Sequence, residues 1–324
     1  MNFRIIIFSC VLLFFSSCKK ANIDLKYSTI GFINGIIIHD IMVLSDTAIL
    51  FCGTTNLDQG RIGTYITTTK KTEFTKTDQI MNGLTSSSDI LWACGNNMCM
   101  LKSIDTARTW LSVWDSAAIS KSFNKNQYTD IKKMHAVDST PVFAIGYKHM
   151  LDGNLYVKNN TTLTPFTTKP LNMGVNNMLV VDSTEIFVAG YGSIVHMKDT
   201  DAPLTYCSIG NENFTGITQV GRNSLVACTQ SGALYTYNNT DSVWKKNYTA
   251  SMSLTHIIGD FHGNLIAAGN GRHILVSNNY GENWRKVRYP NSKNITCLTF
   301  DVGYFWAGTT NGEIIRFNTV QIEK

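Results

Sequence analysis

The chain has 324 residues, of which 44% are hydrophobic and 16% charged, so it carries enough apolar material for a core and too little charge for a disordered chain. A formal net charge of +5 implies no field directed at nucleic acid. With 24 Gly, 5 Pro and abundant Asn, Thr and Ser, turns are many and short, which does not favour a long-helix protein.

Residues 1–17 read as a signal peptide. Arg4 supplies the positive end, Ile5 to Phe15 form an apolar run too short to span a bilayer, and Ser16 and Ser17 precede Cys18. This segment resembles a bacterial lipoprotein signal, and SSCKK is similar to lipoproteins of the Bacteroidetes. The resemblance implies cleavage before Cys18, lipidation of that residue and a short tether over 18–26. The implied location is the cell envelope at the outer membrane, facing the periplasm or the surface, with the lipid as the membrane contact.

From residue 27 onward one phrase recurs: a polar turn, a run of β-formers, a small residue, then usually Gly. The copies are SDTAILFCG ending at Gly53, SSDILWACG at Gly95, VDSTPVFAIG at Gly146 and VDSTEIFVAG at Gly190. GRNSLVACT at Thr229, DFHGNLIAAG at Gly269 and DVGYFWAG at Gly308 follow. Successive ends are about 40 to 50 residues apart, the period of a propeller blade. Each phrase is preceded by an apolar stretch and followed by a second strand signal, as in SGALYTYN and NGEIIRFN. The expected fold is therefore all-β, a seven-bladed β-propeller of four-stranded blades over 27–324. The last blade runs short near the C-terminus, and Tyr27 to Phe32 reads as the strand that closes it.

Within this frame Cys52, Cys94 and Cys228 are equivalent to Ile145, Ala189, Ala268 and Ala307, which makes them buried packing thiols. SIDTARTW and SNNYGENW resemble the Asp-box. Ser103, Asp105 and Trp110 form one copy, and Ser277, Asn279, Gly281 and Trp284 form another. Asn239 and Trp244 mark a degenerate third copy in YNNTDSVW. The acid or amide bonds its own turn, and the Trp packs between neighbouring sheets. The whole pattern resembles Asp-box and photosystem assembly-factor-like propellers, which implies a fold more than an activity.

No residues stand out as catalytic. HExxH, GxSxG and a Walker loop are absent, and the seven His are scattered, so neither a metal nor a cofactor is implied. The arginine triad and tyrosine of a sialidase cannot be assembled. Asp46, Asp138, Asp182, Asp260 and Asp301 are better explained as turn formers than as glycosidase carboxylates. The expected function is a non-enzymatic binding or scaffold module for an envelope protein or glycan, with a glycan-acting hydrolase as the alternative. Candidate partner-binding residues lie in loops after the phrases, at Tyr147, Lys148, Tyr191, Gln230 and Arg272. Further candidates lie in an inserted loop, at Lys121, Phe123, Lys125 and Tyr128.

Overall fold

The computed structural model describes residues 25–113, 130–136, 142–147, 153–159, 162–165, 171–198, 204–222, 224–238, 242–271, 273–289 and 293–318. Among the described residues there is no helix, and the strands form a β-propeller of antiparallel sheets. Each phrase lies in the second strand of its unit and is buried over most of its length, as in Leu265–Gly269 and Ile90–Gly95. The reason is that such a strand has a neighbouring sheet against each face, so alternation gives way to a continuous apolar run. The core is accordingly a series of clusters between successive sheets. Leu50, Cys52, Met81, Leu84 and Ala93 join the first two, and Ile38, Ile49, Cys297, Trp306 and Ile314 join the last to the first.

Seven separate blades are not what forms. Among the described residues there are six sheets, five of four strands and one of six. The fourth and fifth phrases share the large sheet because Glu185–Lys198 and Thr205–Gly221 are continuous strands. Glu185–Lys198 pairs through its first half with Val175–Val180 and through its second half with the start of Thr205–Gly221. The rest of Thr205–Gly221 pairs with Ser224–Thr229, and a Tyr191–Asn213 bridge spans the position where the sequence implies a gap.

Tyr27–Phe32 pairs antiparallel with Glu313–Phe317 and completes the last sheet. Thr29 Oγ1 donates to Glu313 Oε1 at 2.7 Å and Tyr289 Oη donates to Glu313 Oε2 at 3.1 Å, so the buried carboxylate clamps the closing strand.

The phrase-final glycines have a steric cause. A Cβ on Gly53 would lie 2.1 Å from the Ile37 carbonyl oxygen, and one on Gly95 would lie 2.1 Å from that of Ile80. At the fifth phrase Thr229 takes this place, and its Oγ1 accepts from Ala233 N at 3.0 Å to fix the following turn. The seventh phrase is offset by one residue from its sequence alignment. Thr309, not Gly308, pairs with the start of the innermost strand, and its Oγ1 accepts from Glu313 N at 2.9 Å. Gly308, not Ala307, therefore matches Cys52. The space is filled from the innermost strand by Cys297, whose Sγ would lie 2.7 Å from a Cβ on Gly308.

Candidate functional site

The innermost strands are Ile36–Ser45, Met81–Ser87, Asp130–Ala136, Val175–Val180, Thr205–Gly221 from Phe214 onward, Leu254–Gly259 and Ile295–Asp301. Each packs beside the next, and the last packs beside the first. All seven are interrupted by a bulge at the same place, where register shifts between Ile38 and Asp40, Met81 and Gly83, Ile131 and Lys133, Val175 and Asn177, Phe214 and Gly216, Leu254 and His256, and Ile295 and Cys297. The extra residue in each is polar: His39, Asn82, Lys132, Asn176, Thr215, Thr255 and Thr296. A bulge releases a residue from the ladder and re-aims its side chain.

Five of these side chains reach a main-chain carbonyl just before the bulge of the next strand. His39 Nδ1 lies 2.8 Å from Met81 O. Asn82 Nδ2 donates to Ile131 O at 2.9 Å, and Asn176 Nδ2 donates to Phe214 O at 2.8 Å. Thr215 Oγ1 donates to Leu254 O at 2.8 Å, and Thr296 Oγ1 closes the circle onto Ile38 O. The result is a ring of side-chain bonds around a cavity of about 250 Å³, lined from all seven strands.

One residue further along, Asp40 and Lys133 form an ion pair at 2.9 Å. Asp40 is buried, and its carboxylate also accepts from Ile41 N and Leu84 N at 3.0 Å each, so it ties three successive innermost strands together. Burial opposes the charge on Lys133, but the Asp40 carboxylate overrides it and holds the ammonium above its ordinary pKa. His256, also in the lining, is pushed down to about 4 by burial and then by the Lys133 charge. His39 is lowered by burial, against its bond to Met81 O.

Outside the cavity lies a rim of amides. Asn82 Nδ2 also reaches Asn96 Oδ1 at 2.9 Å, and Asn97 Nδ2 donates to Gln79 Oε1 at 2.7 Å. Asn176 Nδ2 donates to Asn213 Oδ1 at 2.7 Å, whose own Nδ2 donates to Gln230 Oε1 at 2.8 Å. Gln230 thus joins the ring through one intermediary, and Tyr191, paired with Asn213 along the backbone, is 53% exposed beside it. Tyr147 ends Val142–Tyr147, opposite Asp130 at the start of its innermost strand. Lys121, Phe123, Lys125, Tyr128, Lys148, Arg272, Asn239 and Cys18 lie outside the described residues.

The two Asp-box-like turns share one bonding pattern. Ser103 Oγ donates to Asp105 Oδ1 at 2.8 Å and accepts from Ala107 N at 3.0 Å, while Thr109 N donates to Asp105 Oδ1 at 2.9 Å. Ser277 Oγ donates to Asn279 Oδ1 and accepts from Gly281 N, both at 3.0 Å, and Asn283 N donates to Asn279 Oδ1 at 3.0 Å. The hydrogen bonds from Thr109 and Ser103 hold Asp105 down to about 2. The tryptophans of the two turns differ. Trp284 is buried and its Nε1 donates to Gly281 O at 2.9 Å, whereas Trp110 is half-buried and its Nε1 has no hydrogen-bond partner. Trp244 is also half-buried, 5.0 Å from the Tyr237 ring. The turn aspartates act locally as well: Asp260 accepts from His262 N and Asn264 N, and Asp182 from Thr184 N and Glu185 N. Asp138 lies outside the described residues.

Sequence reasoning missed the bulge ring. Its signal is a buried apolar residue followed by a polar one, at nearly constant distance before each phrase end: Ile38-His39, Met81-Asn82, Ile131-Lys132, Val175-Asn176, Phe214-Thr215, Leu254-Thr255 and Ile295-Thr296. Any one such dipeptide is ordinary in a strand, and only the aligned set is informative.

This architecture defines a β-propeller whose channel mouth is a polar, ringed recess. No family model and no curated protein matches the chain by sequence. Solved structures do match. YCF48 bound to D1 peptide has a TM-score of 0.73 at 13% identity, over 90% of this chain and 97% of that one. The WD40 propeller domain of Doa1 has a TM-score of 0.69 at 11% identity, over 91% and 97%. Virginiamycin B lyase from Staphylococcus aureus has a TM-score of 0.71 at 11% identity, over 91% and 99%. At such identities the likeness is one of fold, and it extends to a propeller solved with a peptide and to a lyase alike.

Proposed function

We propose that the chain is a non-enzymatic binding module that receives a protein partner on the face bearing the channel mouth and the amide rim, held in the cell envelope by a lipid on Cys18. The observation that carries the binding reading is the state of Asp40. It is the carboxylate beside the cavity, and it is committed to two backbone N–H groups and Lys133. Hydrolysis of a glycan needs two facing carboxylates, one protonated and one free to act as base or nucleophile. Asp40 has no such freedom, its oxygens being taken by Ile41 N, Leu84 N and Lys133, and among the described residues no carboxylate lines the cavity. The rim instead offers amides and an exposed aromatic, groups suited to hydrogen bonding and packing against a polypeptide. The likeness to a propeller solved with a peptide bound supports a protein over a glycan partner.

The test is retention of envelope proteins by the full chain, compared with Tyr191→Ser and Gln230→Ala variants whose melting temperatures match the parent. The expected result is partner retention by the parent and its loss in the rim variants. Retention unchanged by both rim changes, and abolished by Phe261→Ser at an exposed turn away from the rim, would move the site off this face. Anchoring is tested separately: Cys18→Ala should release the protein from membranes, and unchanged membrane fractionation would overturn the lipid attachment.

A further inference from the structure

We propose that the outer strand Arg285–Arg288 is a membrane-contact surface, which lies against anionic lipid headgroups and sets the propeller edge-on to the bilayer. The inference rests on the lipid attachment at Cys18 proposed above and goes beyond it, since an anchor alone leaves the orientation of the domain undetermined.

Three observations converge on it. The first is charge. Arg285, Lys286 and Arg288 fill three of the four positions of this strand. Lys286 and Arg288 are exposed and Arg285 is half-buried. None of the three is in an ion pair among the described residues, and Arg285 Nη1 has no hydrogen-bond partner there. The one carboxylate between residues 277 and 289 is Glu282, in the turn before the strand. Desolvation, and then the Lys286 and Arg288 charges, hold the imidazole of His273 below its ordinary pKa, and His273 pairs with Arg288 across the sheet. Basic residues on an edge strand also guard against pairing with another chain. The outer strand Lys71–Thr77 does so with Glu73 between Lys71 and Lys76, whereas Arg285–Arg288 contains no acid.

The second is the path of the chain. Leu25, the first described residue, is buried in the cluster between the last two sheets with Tyr289, and Val287 of the basic strand packs against the same cluster. The ring of Tyr27 meets that of Tyr289 edge to face at 5.5 Å and is 39% exposed. The chain therefore enters the domain beside Arg285–Arg288. From Cys18 to Leu25 is seven residues, a reach of at most about 25 Å, so a lipid on Cys18 keeps this strand close to the bilayer. Lys19, Lys20 and Lys26 add basic charge along the approach, against one Asp24. Attraction of Lys and Arg to an anionic leaflet fades within a Debye length, and the tether supplies that proximity. The third is position. Arg285–Arg288 is the outermost strand of its sheet, at the opposite edge from the innermost Leu254–Gly259. Contact along this circumference lays the channel axis parallel to the membrane. The channel mouth and amide rim then open to the side, and membrane and protein partner do not compete for one face. An exposed Tyr27 suits the headgroup level, where amphipathic rings are favoured.

The experiment is co-sedimentation of the full chain carrying Cys18→Ala with vesicles of phosphatidylcholine, with and without phosphatidylglycerol, at low salt. Removing the acyl site isolates the contact made by the protein itself, and residues 1–17 are common to every variant compared. The expected result is a preference for the anionic vesicles that added salt weakens. Arg285→Gln, Lys286→Gln and Arg288→Gln combined should cut binding to them by about tenfold or more, at roughly fivefold for each basic residue at the surface. Lys70→Gln, Lys71→Gln and Lys76→Gln combined remove the same charge from another exposed edge and should leave binding within about twofold. No preference for the anionic vesicles overturns the proposal. Equal losses in the two triple variants overturn it as well, because net charge alone would then account for the binding. Should the first triple variant fail to fold, Lys286→Gln with Arg288→Gln, both at exposed positions, decides in its place. The lipid attachment fails separately. A parent chain found by mass spectrometry to carry no lipid on Cys18, but still selecting anionic vesicles through this strand, keeps the contact surface and loses the anchor. A lipidated parent whose strand variants bind as it does keeps the anchor and loses the contact surface.

Discussion

Ala107 occupies the place that Gly281 holds in the other Asp-box-like turn, and both have positive φ, +67° and +83°. An L-residue with a Cβ pays roughly 1–2 kcal/mol for that conformation, so Ala107→Gly should raise the melting temperature, less a few tenths of a kcal/mol for the added freedom of the unfolded chain. A lower melting temperature would show that the Ala107 methyl contributes more by packing near Trp110 than it costs in strain. Trp284→Ala should behave as a core truncation, costing about 3–5 kcal/mol in denaturant unfolding. Trp110→Ala should cost clearly less, because its ring is only half-buried and its Nε1 loses no bond. The same turns set an acid limit. Asp105 is held at about 2, below the unfolded carboxyl value near 3.9. A depressed carboxyl stabilises above its unfolded pKa, and that contribution disappears as pH falls from about 4 through 2. Acid titration of Asp105→Asn should therefore lack the part of the stability loss that the parent shows in this window.

Among the strands, the closing pair and the bulge ring do different work. Deletion of residues 27–32 would leave Glu313–Phe317 with an unpaired edge and strip Glu313 of the Thr29 bond. It should lower the melting temperature sharply and promote association through that edge. Thr296→Val is milder. It keeps the shape and removes the one ring bond that crosses from the last innermost strand to the first, so a loss of about 0.5–1.5 kcal/mol is expected. A variant melting with the parent would show that water replaces the hydroxyl at no cost. The phrase glycines are less forgiving: Gly95→Ala places a methyl against the Ile80 carbonyl, a main-chain atom that cannot swing away.

For the whole molecule, the thiols report on closure. Cys52, Cys94, Cys228 and Cys297 are buried and free, and burial raises all four pKa values, that of Cys228 to about 12. The folded protein should react with a thiol reagent first at part-exposed Cys207 and Cys99, and at the other four only on unfolding. Rapid modification of Cys52 or Cys94 in native buffer would mean that the sheets part readily. The phrase repeat, its buried second strand and the closing N-terminal strand are legible in the residues, because a strand caught between two sheets demands a continuous apolar run ending where no side chain fits. Much of the candidate site is not legible. His39, Asn82 and Thr296 are unremarkable polar residues in apolar strands until bulges turn them toward one axis and each meets a carbonyl from a strand distant in sequence. Pairing is likewise a property of the assembled chain. Local pattern places Tyr191 and Asn213 at the ends of different units, but their backbones approach closely enough to bridge and join two repeats in one sheet. The spacing of small and β-branched residues decides which segments become strands, since that choice depends on local geometry and burial. Which strands merge, and which polar side chains meet a carbonyl of the neighbouring strand, depends on distances between segments far apart in the sequence, and those are set only when the ring closes.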